Sequence, residues 1–277
     1  MSKKISNHLQ VMLVIVLSIA LLATPAMAGY ASAKVLSEKF EDIGSGCAPC
    51  TEVANMIQVD PNLKFIFNGK DLKDSKLSDG KIVTEKEFTG RELAYITETA
   101  LADKQVNALY QNLVERGFVL AKENVIATKI TAEFNNSELG ELEKIDNTIV
   151  NLHLVKNDTN ETAIISFVSN KFGTGAAALA KNNDNSKNLL FYDSKADKIV
   201  ASSSLNCWVC QQIVTLVKNW PQGVSCLIMC GSLCLVFVEY PPAMAACNII
   251  CNPVCRYVTK NPNTNAYEAC LNLGYCP

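Results

Sequence analysis

Ten of the chain's twelve cysteines lie in its last 71 residues, and that density constrains the fold more than any other feature. A segment this rich in cysteine is stapled by disulfides instead of being held by a large core alone. Zinc is the rival explanation for clustered thiols, but the tail has no histidine, and five pairs of thiolates would have to stay reduced. Neither a metal nor any other cofactor is expected.

Ten cysteines admit hundreds of pairings, and a sequence does not choose among them. Two spacings narrow the choice. Cys226, Cys230 and Cys234 recur every four residues, as do Cys247, Cys251 and Cys255, so on α-helices each trio forms one slowly drifting stripe. The trios mirror each other about Tyr240-Pro241, the relation an antiparallel helical hairpin requires. A turn belongs there, because Pro241-Pro242 cannot continue a helix. The outer cysteines keep nearly the same register. The simplest nested solution joins Cys207 to Cys276, Cys210 to Cys270, Cys226 to Cys255, Cys230 to Cys251 and Cys234 to Cys247. Bridged Cα atoms must lie about 4.4 to 6.8 Å apart, so close packing is required, and Gly231, Ser232, Ala245 and Ala246 are small enough to permit it. The spacings Cys207-x2-Cys210 and Cys270-x5-Cys276 also resemble the termini of saposin-like helical domains, where first pairs with last and second with penultimate.

Charge divides the chain unevenly. Residues 203–277 carry only Lys218, Arg256 and Lys260 against Glu239 and Glu268, whereas residues 29–202 carry 20 Lys+Arg against 25 Asp+Glu. Neither part has the basic excess of a nucleic-acid binder, so nucleic acid is excluded as a partner. Val224 to Val238 has no charge at all and reads as a buried helix. At about 1.5 Å per residue it reaches only about 22 Å, short of a membrane span. Trp208, Trp220 and Tyr240 fit either a small core or anchors at a membrane interface.

The first 28 residues have the anatomy of an export signal: Lys3 and Lys4, an apolar run from Val11 to Ala23, and the small-residue site Ala26-Met27-Ala28. Cleavage is expected after Ala28, and export to an oxidising compartment makes disulfide pairing the default. Cys47-Ala48-Pro49-Cys50 has the spacing of a thiol redox pair. No thioredoxin-like pattern follows it, which favours a local Cys47–Cys50 disulfide.

Between signal and tail, residues 60–88 are rich in Lys, Asp and Ser and read as a loop or weak hairpin. Thr89 with Glu92 fits a capping box, and Asp103 can cap a second helix whose Val106, Leu109, Tyr110, Leu113 and Val114 recur at helical spacing. Gly117 ends it. Strand-like runs follow at Phe118 to Leu120, Val125 to Ile130, Ile149 to Val155, Ala163 to Val168, Leu189 to Tyr192 and Lys198 to Ala201. Gly173-Thr174-Gly175 lacks the frame of a nucleotide loop. His153 is the only histidine beyond the signal and lies within a strand; no nucleophile and base constellation accompanies it, so no enzymatic activity is expected. Asn135, Asn157 and Asn160 each begin an N-x-S/T sequon, which suits an exported surface.

The order C-x2-C, three cysteines, three more and a final pair resembles the halocin C8-like bacteriocins. The ending Ala266-Tyr267-Glu268-Ala269-Cys270-Leu271-Asn272-Leu273-Gly274-Tyr275-Cys276 is similar to that family's terminal A-x-E-A-C-x3-G-x-C. The resemblance covers about residues 203–277. It implies a secreted antimicrobial peptide cut from the C-terminus of a precursor and acting on the membrane or envelope of a target cell. It also implies an N-terminal region that neutralises the peptide as an immunity partner. The chain departs from the family in lacking a twin-arginine signal and a strongly acidic composition.

The expectation is therefore a two-part chain after a signal peptide at residues 1–28. Residues 29–201 form an α+β pro/immunity domain, helices first and then an antiparallel meander. Residues 202–277 form an all-α, disulfide-rich helical hairpin or bundle. Processing is expected at a flexible junction between Ala201 and Asn206, with Ala201 and Ser204 as the candidate cut positions.

Overall fold

The computed structural model describes residues 77–218 and 226–277. Ala28, Cys47, Cys50 and Trp220 lie outside the described residues, and with them the expected signal cleavage and local disulfide. The elements in chain order are β1 (Leu77–Glu87), α1 (Gly90–Ala102), α2 (Lys104–Glu115), β2 (Val119–Leu120), β3 (Ile126–Asn136), β4 (Glu141–Val155), β5 (Thr162–Asn170), β6 (Gly173–Lys181), β7 (Lys187–Asp193) and β8 (Lys198–Ser202). Four helices follow: α3 (Ser203–Lys218), α4 (Cys226–Cys234), α5 (Pro241–Lys260) and α6 (Ala266–Asn272). Short 3-10 turns lie at Lys122–Asn124 and Leu235–Phe237.

The strands form one eight-stranded sheet in the order β1-β3-β4-β5-β6-β7-β8, with β2 paired to the far end of β4. Every pairing is antiparallel. Successive hairpins join β3 through β8, while β1 reaches its place beside β3 across the α1–α2 pair.

Side chains alternate across each strand, so the sheet has two faces to cover. On one face Ala127, Val150, Leu152, Leu154, Ile165, Phe167, Ala176, Ala178 and Leu190 join Ala100, Val106, Leu109 and Leu113 of α1 and α2 in an apolar core. Asp103 caps α2 by accepting from the Gln105 and Val106 amides at 2.8 and 3.3 Å. Its other carboxylate oxygen accepts from Thr174 Oγ1 of β6, so the cap also fixes α2 to the sheet. Thr89 makes no side-chain capping bond. Glu92, expected to complete a capping box, pairs instead with Lys86 at 2.8 Å.

The other face is covered by the cysteine-rich segment, and here the expected architecture fails. The described residues hold one antiparallel sheet with helices, all within one compact unit, and no separate all-α bundle forms. Helix α5 buries twelve of its twenty residues, more than the single stripe a hairpin partner can cover. The sheet, chiefly β5 and β6, and α3 cover the remainder. Gly175 of β6 lies so close to α5 that a Cβ there would stand 2.1 Å from the Pro242 nitrogen. At the β1 edge of the sheet, a Cβ on Gly231 of α4 would stand 3.0 Å from Ile82 Cδ1. Gly231 thus serves the approach of helix to sheet.

Three local expectations are also corrected. A strand of 11 residues, β1, precedes the helices where a loop or weak hairpin was expected. Strand β6 was not anticipated at all. Pro241 and Pro242 occupy the first turn of α5 instead of the turn before it, a place where the missing proline N–H has no helical acceptor to lose.

Candidate functional site: the disulfide ladder and its cover

Five disulfides hold the tail, and they are those of the mirrored register. Cys226–Cys255, Cys230–Cys251 and Cys234–Cys247 cross between α4 and α5, each with Cα atoms 5.6 Å apart. The equal spacing follows from four-residue steps on two antiparallel helices, which keep each stripe facing the other. Cys210–Cys270 joins α3 to α6 with a Cα separation of 5.9 Å, and Cys207–Cys276 joins the start of α3 to the C-terminus at 4.4 Å. Cys210, Cys234, Cys251, Cys255 and Cys270 are fully buried, out of reach of a dissolved thiol while the chain stays folded. No described cysteine is free.

The seam between sheet and tail is more polar than the α1–α2 core. Asn147 is fully buried on β4 and accepts at Oδ1 from Asn170 Nδ2 at 3.0 Å. The same Asn170 amide donates to the Val238 carbonyl at 2.8 Å. At the β6–β7 end, the Lys187 carbonyl accepts from Asn206 Nδ2 at 2.6 Å, and the Lys187 amide donates to the Gly274 carbonyl at 2.9 Å. The Lys187 ammonium sits 4.0 Å from the centre of the Tyr275 ring. Burial and the charge of Lys181 pull the Lys187 pKa down to about 8, while burial pushes the Tyr275 hydroxyl up.

The expected processing junction is structured. Ala201 pairs with Leu190 in the sheet, Ser204 lies in the first turn of α3, and strand β8 runs into that helix with no loop between them. Ser202 and Asn206 are buried. Ala201 itself is exposed at the sheet edge. Tyr240, a candidate interfacial anchor, is buried.

His153 is half-buried on β4, and burial holds its pKa below the usual value. Among the described residues, no three or more His, Cys, Asp or Glu side chains are placed to hold a metal ion. No helix among them is long and apolar enough to cross a membrane. Comparison with protein-family models, with curated proteins and with solved structures returns no match.

What the fold defines is a disulfide-stapled α+β unit whose cysteine-rich helices lie on one face of an antiparallel sheet. Five disulfides are compatible with an extracellular protein. Of the seam residues Gly175, Asn170 and Lys187, the first drew notice in the sequence only as part of Gly173-Thr174-Gly175, and the other two did not stand out. A signal existed for the first, since Gly173 to Ala178 is a run of small residues. For the other two there was none.

Proposed function

We propose that the chain is a secreted bacteriocin precursor. Residues 202–277 are released by proteolysis and act on the envelope of competing cells, the target membrane included. Residues 29–201 hold the peptide inactive and serve as its immunity partner. The observation that carries this reading is the burial of α5 on the sheet. A nearly uncharged segment with five bridges keeps its apolar surface covered while attached, and separation would bare it. Exposed apolar area of that kind is what binds a membrane or a partner. The terminal cysteine order and the ending Ala266 to Cys276 add the likeness to halocin C8-like peptides.

The test has two stages. Intact mass of the secreted product, with and without reduction, gives the cut position and the number of bridges. The purified oxidised peptide is then added to sensitive cells while growth and membrane potential are followed. Killing with loss of potential, reversed by adding residues 29–201, is the expected result. A full-length product with free thiols, or a peptide without toxicity to any tested strain, overturns the reading. A second reading, a lipid-binding module that does not kill, is favoured by the first-to-last and second-to-penultimate bridges. It predicts liposome association without growth inhibition.

A further inference from the structure

Both ends of the cysteine-rich segment converge on one residue of the sheet. Lys187 opens β7. Its carbonyl holds the Asn206 side chain at 2.6 Å, its amide holds the Gly274 carbonyl at 2.9 Å, and its ammonium covers the Tyr275 ring at 4.0 Å. Asn206 immediately precedes Cys207, and Tyr275 immediately precedes Cys276. The two cysteines next in line have Cα atoms 4.4 Å apart. Gly274 adopts φ +73, and a Cβ there would stand 1.9 Å from the Asn185 carbonyl oxygen. The C-terminal turn is therefore seated directly on the β6–β7 turn. Gln211 Nε2 lies 3.2 Å from Cys207 Sγ and 3.9 Å from Cys276 Sγ, donating toward the sulfurs.

This bridge joins residues 69 apart, the longest separation of the five, against 13 for Cys234–Cys247. Loop-closure entropy rises with the length closed, so an unaided chain finds the outer pair last and mispairs it most readily. A surface that grips the neighbours of both cysteines removes that search.

We propose that the sheet is a folding template for the reduced cysteine-rich segment, with Lys187 as the post that brings Cys207 and Cys276 together. The chemistry is ordinary thiol–disulfide exchange. One cysteine thiolate attacks a small disulfide oxidant and expels one of its thiols. The second cysteine thiolate attacks the mixed disulfide and expels the other. Two protein thiols are oxidised and one disulfide is reduced to two thiols. The template acts on the second, intramolecular step by raising the effective concentration of one cysteine at the other, and the Gln211 amide hydrogen-bonds the sulfur that bears charge. Lys187 is a positioning residue in this scheme. Nothing in it depends on the tail being toxic, so it stands or falls apart from the bacteriocin reading.

The experiment uses the full chain. Reduced, unfolded protein is diluted into oxidised and reduced glutathione, alkylated at intervals and mapped by mass spectrometry. Wild type is compared with Asn206→Ala, Tyr275→Leu and the double variant. The expected result is at least a fivefold slower appearance of Cys207–Cys276 in the double variant, with the three α4–α5 bridges forming at the wild-type rate. A wild-type rate for the outer bridge overturns the proposal, and so does an equal slowing of all five, which assigns these residues to general stability. A measurement in the folded state covers variants that refold poorly. In folded oxidised protein, the glutathione ratio that opens Cys207–Cys276 gives that pair's effective concentration. A tenfold fall in the double variant is expected, and an unchanged value refutes the template.

Discussion

Asn170 Nδ2 donates to the Val238 carbonyl at 2.8 Å, which ties the end of β5 to the turn between α4 and α5. The same amide satisfies Asn147 Oδ1 at 3.0 Å. Asn170→Leu leaves two acceptors in a partly buried seam without a donor. A buried group stripped of its partner costs about 1–3 kcal/mol. Urea unfolding of the full chain is expected to show a loss in that range, larger than that of Asn183→Leu at the exposed tip of the β6–β7 turn.

Gly175 sets how closely the cysteine-rich layer can approach. With a Cβ placed 2.1 Å from the Pro242 nitrogen, Gly175→Val cannot be absorbed by a side-chain rotation, because the obstacle is backbone. Overpacking of this kind costs about 1–3 kcal/mol or more. Thermal unfolding is expected to fall accordingly, and protease susceptibility of the α5 segment to rise. The three α4–α5 bridges should still form, because they close between two helices and not against the sheet.

Lys187 makes stability depend on alkaline pH. Its pKa in the folded chain is about 8, below the ordinary 10.5, because burial and Lys181 act against the charge; the Tyr275 ring is the group facing it from the tail. Below about pH 8 the lysine is charged whether folded or unfolded, and the burial cost is fully present. As pH rises from about 8 toward 10.5 the folded chain gives up a proton that the unfolded chain keeps, so stability increases across that window. Urea midpoints at pH 7 and pH 10 are expected to show this rise in wild type. Lys187→Met should remove it.

Strand β8 guards the expected processing site. Cutting near Ala201 requires β8 to leave β7, since a protease binds its substrate extended and unpaired. Ile199 of β8 is half-buried against the α1–α2 core and helps to anchor the strand. Each ~1.4 kcal/mol removed from that anchoring raises the open population about tenfold, and cleavage follows that population when opening is fast. Ile199→Ala is therefore expected to speed limited proteolysis at residues 201–206 by up to about tenfold. An unchanged rate would show that cleavage reaches the junction without strand opening.

Much of the chain was legible residue by residue. Asp103 caps α2 because its short carboxylate reaches first-turn amides that have no partner within the helix. The four-residue cysteine steps point to facing helices for the same local reason. Strand β6 was illegible because Ala and Gly are poor strand formers in isolation. Their value appears only when α5 lies against Gly175. Strand β1 was missed because a stretch rich in Lys, Asp and Ser reads as loop until β3 offers it a pairing edge.

Cysteine spacing, the nearly uncharged tail and the helical periods are properties of neighbouring residues, and they settle locally which cysteines can meet across two helices. The sequence by itself did not determine what the remaining apolar surface of α5 packs against. That is a choice among distant segments, decided by which face is large enough and close enough to cover a helix buried on more than one side. Only the tertiary structure shows that the sheet takes that role, and that Lys187, unremarkable among its neighbours, lies where the two ends of the ladder meet.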